Sequence, residues 1–192
     1  MYLCVSCVVG EGVVIIRLVI VYGMRGYVGV LQYGRIQQVN IEKYYNKREM
    51  IPEWRQQQIV DGARALLQSL AIPPNAIVIF DIDDTLITPT GKPYTKIIDF
   101  YNELLDAGIH VGLITARSGE ERNVNATFRQ LENVGVKDWK VSYFRSPTQT
   151  NVTRFKLKAR KNLWDRGYYV IMTLGDQEWD HGEYGGFSVL IQ

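Results

Sequence analysis

The sequence has few of the residues that mark disulfide-rich, zinc-binding or disordered proteins. Its 192 residues include only two cysteines and two histidines. Two cysteines cannot form a disulfide framework, and a structural zinc site needs about four ligands. Cys4 and Cys7 lie far in the chain from His110 and His181, so we interpret the cysteines as an inert apolar pair. With six prolines and 46% hydrophobic residues, the chain is neither disordered nor collagen-like, and its length favours one main globular domain.

A strong excess of one charge is also absent. The 22 basic and 20 acidic residues leave a net charge of +2, whereas a dedicated nucleic-acid-binding protein normally carries a strong positive field. The sequence therefore gives no strong signal for a nucleic-acid partner. It fixes neither the oligomeric state nor the compartment, for which a cytoplasmic location is the default expectation.

The long apolar run at residues 13–22 is too short for a membrane-spanning helix. Such a helix needs about 20 largely apolar residues, and windows of that length around the run include charged residues such as Glu11 and Arg17. The valine and isoleucine content of the run favours one or two short strands, and we expect no association with a membrane. A cleaved signal segment and a translation start at Met24 are alternatives that the sequence leaves open.

The pattern of apolar and polar residues changes at about residue 40. We treat residues 1–40 as an N-terminal extension of uncertain structure and residues 41–192 as the main domain. There, helical and strand patterns alternate, which is typical of an α/β fold, and we expect a Rossmann-like three-layer sandwich around a mainly parallel sheet. The apolar run 77–80 predicts a central strand buried on both faces, and Ser118 with Glu121 predicts a capping box at a helix start. Further strands are predicted at 109–114, 139–144, 168–174 and 187–191.

Polar residues follow the predicted strands at the point where each strand ends. Ligands of open parallel sheets bind at the carboxyl ends of the strands, so these residues are expected to meet at one edge. Acids, a hydroxyl and a lysine in one place are suited to a divalent metal and a phosphate. In chain order, the residues that follow strands are Asp81, Asp83, Thr85, Thr115, Asp176 and Asp180, and the helix before the strand at 168–174 adds Lys156.

These motifs resemble those of the haloacid dehalogenase-like (HAD) phosphohydrolases. The four motifs of that superfamily are a strand ending in D-x-D-x-T, a strand ending in Thr or Ser, a Lys, and an acidic pair. All four occur here in order. Within the superfamily the chain is most similar to the acid phosphatase branch, subfamily IIIB, which includes plant acid phosphatases and vegetative storage proteins. That similarity extends over residues 41–190 and includes Phe155-Lys156, Arg160, Gly167-Tyr168, and Gly175-Asp176-Gln177 with Asp180.

The resemblance implies a Mg²⁺-dependent phosphomonoester hydrolase that forms an aspartyl phosphate. Asp81 would be the nucleophile and Asp83 the general acid and base. Thr115 and Lys156 would bind the phosphoryl oxygens. The implied Mg²⁺ ligands are Asp81, the backbone carbonyl of Asp83, Asp176 and, as an alternative or outer ligand, Asp180.

The substrate is a phosphomonoester that the sequence does not identify. The intervals from Asp81 to Thr115 and from Thr115 to Lys156 are too short for a large cap domain, so we expect an open site and a substrate that can be bulky. Candidate residues that would contact it are Arg117, Arg145 and Trp179. Two other functions remain open: a catalytically silent binding or storage protein of the same fold, and a polynucleotide end phosphatase.

Overall fold

The structure is a computed structural model that describes the backbone of residues 2–10, 13–21, 27–32 and 35–40, and all of residues 50–192. The chain divides into two compact units, Met1–Glu49 and Met50–Gln192. Met24 lies outside the described residues, and the boundary at residue 40 stays a prediction. In the described part of the chain, no helix has the length and apolar character needed to cross a membrane.

The first unit contains a four-stranded antiparallel sheet with the strand order β1-β2-β3-β4. Residues 13–21 of the apolar run form a single strand, β2, which pairs with both β1 and β3. The strands are β1 (Tyr2–Gly10), β2 (Val13–Val21), β3 (Tyr27–Gln32) and β4 (Arg35–Asn40).

The second unit is an α/β structure around a parallel five-stranded sheet with the strand order β7-β6-β5-β8-β9. Its strands are β5 (Ala76–Phe80), β6 (His110–Ser118), β7 (Val141–Arg145), β8 (Tyr169–Gly175) and β9 (Phe187–Leu190). Its helices are α1 (Glu53–Gln68), α2 (Thr95–Asp106), α3 (Glu121–Asn133) and α4 (Val152–Asp165).

The central strand β5 is buried along its whole length, which confirms the prediction for residues 77–80. Val78 and Phe80 pack in one hydrophobic cluster with residues of α1, α2 and α3. Ile77 and Ile79 belong to a second cluster with Phe155, Ala159 and Leu163 of α4. Because successive side chains of a strand point to opposite faces, the two clusters lie on opposite sides of the sheet and make the expected three layers.

The strand order reverses direction at β5, and this reversal locates the site. The chain runs from β5 to β6 and β7 on one side, and then returns to β8 and β9 on the other. A parallel sheet binds ligands in the crevice at such a switch point, outside the carboxyl ends of the strands. Within residues 50–192, the interval between β5 and β6 holds a short flap and α2, and the interval between β6 and α4 holds α3 and β7. Neither interval contains a cap domain.

The predicted capping box at Ser118 and Glu121 is wrong. β6 continues to Ser118 through a register shift and pairs there with Arg145 of β7. The N-cap of α3 is Glu120, whose side chain makes no capping hydrogen bond. Ser118 therefore pairs in the sheet and does not cap the helix, although the local sequence pattern indicates a cap.

Candidate active site

Asp81 occupies the first position after β5, in the crevice of the switch point. Its amide donates a hydrogen bond to the Leu174 carbonyl of β8 at 2.9 Å. A tight turn follows, in which the Ile82 carbonyl accepts the amides of Leu86 and Ile87. Beyond the turn, residues 88–92 form the short flap, closed by hydrogen bonds between Thr88 and Lys92. Asp81 is therefore held by the rigid centre of the sheet and is only 6% exposed.

Lys156 brings the first and last acidic motifs together. Its ammonium donates to Asp81 Oδ1 at 2.6 Å and to Asp180 Oδ1 through a short contact. The side chain is 2% exposed although it belongs to an amphipathic helix. A buried ammonium is stable only when it is paired, and the two carboxylates supply that pairing.

Three buried carboxylates meet around this single ammonium. One oxygen each of Asp81, Asp176 and Asp180 lies within 4.8 Å of the others. The cluster therefore carries more negative than positive charge in a place with little water. Its oxygen-only ligands are those that Mg²⁺ and similar hard cations prefer, and a divalent cation would neutralise the excess.

The electrostatics of the cluster shift both central groups. The pKa of Asp81 is raised to about 7, mainly by burial; Lys156 opposes this shift and the charge of Asp180 adds to it. Burial lowers the pKa of Lys156, but the carboxylates of Asp81 and Asp180 more than compensate, so that its pKa is raised overall. Lys156 is therefore positively charged, while the ionised form of Asp81 is disfavoured until further positive charge reaches the site.

The two acids after β8 lie in one compact turn that ends in a short 3-10 helix, Glu178–Asp180. The Gln177 amide donates to Asp180 Oδ2 at 3.0 Å, and the Gln177 side chain donates to Asp176 Oδ2. At Gly175, an added Cβ would lie 2.3 Å from the Cβ of Asp180. Asp180 can occupy its position only because residue 175 has no side chain.

Arg160 fixes the course of the chain after Asp180. It is buried, and its guanidinium donates to the carbonyls of Asp180 at 2.7 Å, His181 at 2.8 Å and Glu183 at 3.0 Å. The sequence identified Arg160 only as part of the resemblance. Its spacing of four residues from Lys156 was the available signal, because residues at that spacing share one face of a helix.

The carboxylate of Asp83 is turned toward Arg117. Arg117 Nε donates to Asp83 Oδ2 at 2.9 Å, and Nη2 donates to Oδ1 at 2.7 Å. The third nitrogen, Nη1, donates to Thr127 Oγ1 at 3.1 Å and to Gln130 Oε1 at 2.8 Å. Asp83 is thus linked to α3 through a guanidinium whose three nitrogens are all engaged, and its own side chain remains 38% exposed.

The other predicted site residues lie at the ends of neighbouring elements. Thr115 is buried in β6, next to β5, and its hydroxyl accepts the Arg117 amide at 3.2 Å. Arg145 donates to the carbonyls of Ala116 in β6 at 3.0 Å and of Gln149 in the following loop at 2.6 Å, and so connects that loop to the end of β6. Trp179 is 40% exposed. The structure thus gathers Asp81, Lys156, Asp176 and Asp180 directly; substrate contacts by Arg117, Arg145 and Trp179 stay predictions.

Comparison with known proteins identifies the family and the fold. Residues 89–184, half of the chain, match the sequence profile of the HAD superfamily, subfamily IIIB (acid phosphatase). One solved structure with a similar fold is the class C acid phosphatase from Bacillus anthracis with tungstate bound. It has a TM-score of 0.58 and 15% sequence identity, over 77% of this chain and 79% of that one. Comparison with curated protein sequences gives no significant match. The chain belongs to subfamily IIIB, the acid phosphatases, of the HAD superfamily, and by that membership it is a phosphomonoesterase.

Proposed function

We propose that the protein hydrolyses phosphomonoesters with Mg²⁺ through a phosphoryl group carried on Asp81. The observation that carries this proposal is the buried cluster of Asp81, Asp176 and Asp180 around Lys156. It joins a carboxylate nucleophile, a cation-binding set of oxygens and a fixed ammonium at the switch point of the sheet. A phosphate ester needs all three to react at a carboxylate.

The first step transfers the phosphoryl group to the protein. An oxygen of Asp81 attacks phosphorus, a new P–O bond forms, and the bond from phosphorus to the alcohol oxygen breaks. Asp83 gives its proton to the departing oxygen, so that a neutral alcohol leaves. The Lys156 ammonium and the Thr115 hydroxyl donate hydrogen bonds to the phosphoryl oxygens, whose charge changes most during transfer.

The second step restores the enzyme. Asp83, now ionised, takes a proton from a water molecule whose oxygen attacks phosphorus. The bond to Asp81 breaks, inorganic phosphate leaves, and both aspartates return to their starting states. Arg117 holds the Asp83 carboxylate in place through two hydrogen bonds. The same group can therefore serve at the same position in both steps.

The residues present fit a Mg²⁺ ion. Asp81, Asp176 and the backbone carbonyl of Asp83 would hold it, because both oxygens of Asp180 already accept hydrogen bonds, one from Lys156 and one from the Gln177 amide. When bound, Mg²⁺ would neutralise the carboxylate cluster and the phosphate, and so allow an anionic nucleophile and an anionic substrate to approach. Tungstate, a tetrahedral oxyanion like phosphate, is bound in the Bacillus anthracis structure, which supports an oxyanion site in this fold.

The test is a panel of phosphomonoesters assayed with Mg²⁺ and with chelator, for the wild type, Asp81→Asn and Asp83→Asn. We expect turnover only with a divalent cation, and none by Asp81→Asn. In Asp83→Asn with nitrophenyl phosphate, whose leaving group needs no proton, the first step can still proceed but the second step loses its base. Mass spectrometry after acid quench should then find the protein with one added phosphoryl group. If Asp81→Asn keeps more than about a tenth of the wild-type kcat, Asp81 is not the nucleophile.

A further inference from the structure

A cleft of about 380 Å³ opens beside Asp83 and is lined in part by α3. Helix α3 packs on the face of the sheet opposite α4, which carries Lys156. We infer that this cleft is the subsite for the leaving alcohol, and that it favours an uncharged, hydrogen-bonding alcohol. The inference rests on the proposed function, because it requires Asp83 to act on the leaving oxygen. The residues that line the cleft are Asp83, Pro89, Arg117, Ser118, Asn123, Ala126, Thr127 and Gln130.

The orientation of Asp83 determines where the leaving alcohol must lie. A general acid has to be within hydrogen-bonding distance of the oxygen that it protonates. The Asp83 carboxylate is fixed by Arg117, and Arg117 is fixed in turn by Thr127 and Gln130 of α3. Asp83 and Arg117 both line the cleft. An alcohol whose oxygen meets Asp83 therefore has its remaining atoms at the mouth of this cleft.

Helix α3 and the flap both contribute walls to the cleft. Asn123, Ala126, Thr127 and Gln130 recur at the spacing of one helical face, so that one side of α3 forms a continuous wall. Pro89 of the flap lines the same cleft. The small side chain of Ala126 lies in the middle of the helical wall, where a larger residue would take up the space that an alcohol needs.

The chemistry of the lining points to the class of alcohol. Among the described residues that line the cleft, those with ionisable side chains are Asp83 and Arg117, and they are bonded to each other at 2.7 Å. Four of the five guanidinium N–H groups already donate to protein acceptors, so a second anionic group on the substrate could receive at most one hydrogen bond from Arg117 without displacing one of them. The remaining lining groups are amides, hydroxyls, a methyl group and a proline, and they include no aromatic ring for stacking. A polyol or sugar suits such a surface better than a carboxylated or aryl alcohol.

The experiment compares substrates of increasing size whose leaving groups are all primary alcohols: methyl phosphate, glycerol 3-phosphate and glucose 6-phosphate. Ala126→Leu places a branched side chain in the helical wall. The matched control is Asn125→Leu, which adds the same side chain at an exposed neighbouring position outside the lining. We expect Ala126→Leu to lower kcat/KM for the sugar phosphate relative to methyl phosphate by about tenfold or more, and Asn125→Leu to leave that ratio within about twofold.

A second comparison tests the charge preference. Glycerol 3-phosphate and 3-phosphoglycerate differ by a carboxylate in place of a hydroxymethyl group. The wild type should prefer the former by about tenfold or more in kcat/KM, a difference of about 1.4 kcal/mol. If Ala126→Leu and Asn125→Leu change all substrates in the same proportion, or if the carboxylate is preferred, the subsite assignment is overturned while inactive Asp81→Asn still supports the proposed function. Active Asp81→Asn would overturn the proposed function itself.

Discussion

Replacement of Asp81 by Asn should stabilise the metal-free protein while it abolishes turnover. Three carboxylates and one ammonium are buried together, so the folded state contains excess negative charge that the unfolded chain would expose to water. Burial and the neighbouring Asp180 raise the pKa of Asp81 to about 7 from 3.8. Asparagine keeps the shape of the side chain and removes the charge. The group that the reaction needs is therefore one that folding disfavours.

The size and the sign of the effect follow from the shift in pKa. A folded-state pKa about three units above the unfolded value corresponds to about 4 kcal/mol at about 1.4 kcal/mol per unit. Since the folded wild type binds the proton more tightly, its free energy of unfolding falls as the pH rises from about 4 to about 7, and then becomes constant. Asp81→Asn lacks this loss. Its advantage over the wild type should reach about 4 kcal/mol at pH 8 and be about 2–3 kcal/mol smaller at pH 5.

Urea unfolding of both proteins in chelator at pH 5 and pH 8 measures this difference. Asp106→Asn, the same change at an exposed position of α2, should alter the free energy of unfolding by no more than about 0.5 kcal/mol at either pH. Added Mg²⁺ should stabilise the wild type more than the variant, because a ligand stabilises the protein that binds it better. Asp81→Asn that is less stable than the wild type at pH 8, or equally altered at both pH values, would refute the account of excess buried charge.

Three further predictions concern the residues around Asp81. Arg117→Gln should lower kcat/KM by about tenfold more for an alkyl phosphate than for nitrophenyl phosphate, because an alkoxide needs the proton from Asp83 and nitrophenolate does not. Arg117→Lys should restore part of this difference in kcat/KM. An equal loss on both substrates would show that Arg117 does not act through Asp83. Asp176→Asn should raise the Mg²⁺ concentration for half-maximal activity more than Asp180→Asn does, as titration of activity with Mg²⁺ will measure; the reverse order would make Asp180 the direct ligand. Gly175→Ala should lower the free energy of unfolding by about 2 kcal/mol or more, because its Cβ would overlap Asp180. If urea unfolding gives a free energy within about 0.5 kcal/mol of the wild-type value, the loop that carries Asp180 moves aside freely.

The backbone of the second unit could be predicted because its signals are local. The apolar run of β5 has no polar position, as a strand covered on both faces requires, and it is followed at once by the first two acids. Helix α2 ends before Gly108, which adopts φ +75° as a terminating glycine can. The start of α3 could not be predicted in the same way. There, pairing of Ser118 with Arg145 of β7 overrides the local capping pattern, and no nearby residue signals that pairing.

The residues of the candidate site could be predicted from the sequence, but the contacts between them could not. The order of the acids, Thr115 and Lys156 along the chain indicated that they meet, since the strand ends of a parallel sheet share one edge. No such signal in the sequence showed which groups the side chains of Arg117 and Arg160 would contact. Arg117 and Asp83 are 34 positions apart, and Arg160 donates to backbone carbonyls, which every residue has. A guanidinium with several donors selects its partners only after the chain has brought them within reach.

Helix α4 carries Lys156 and Arg160 one turn apart, with one side chain directed to the carboxylates and the other to the carbonyls that follow them. The rotation of α4 about its axis therefore places both cations at once. Inserting one residue between them would turn Arg160 by about 100° away from the face that it shares with Lys156. An insertion beyond Asp165 would leave the relation between the two cations unchanged. Changes in length among related sequences are thus expected after the end of α4 and not within the turn that separates its two buried cations.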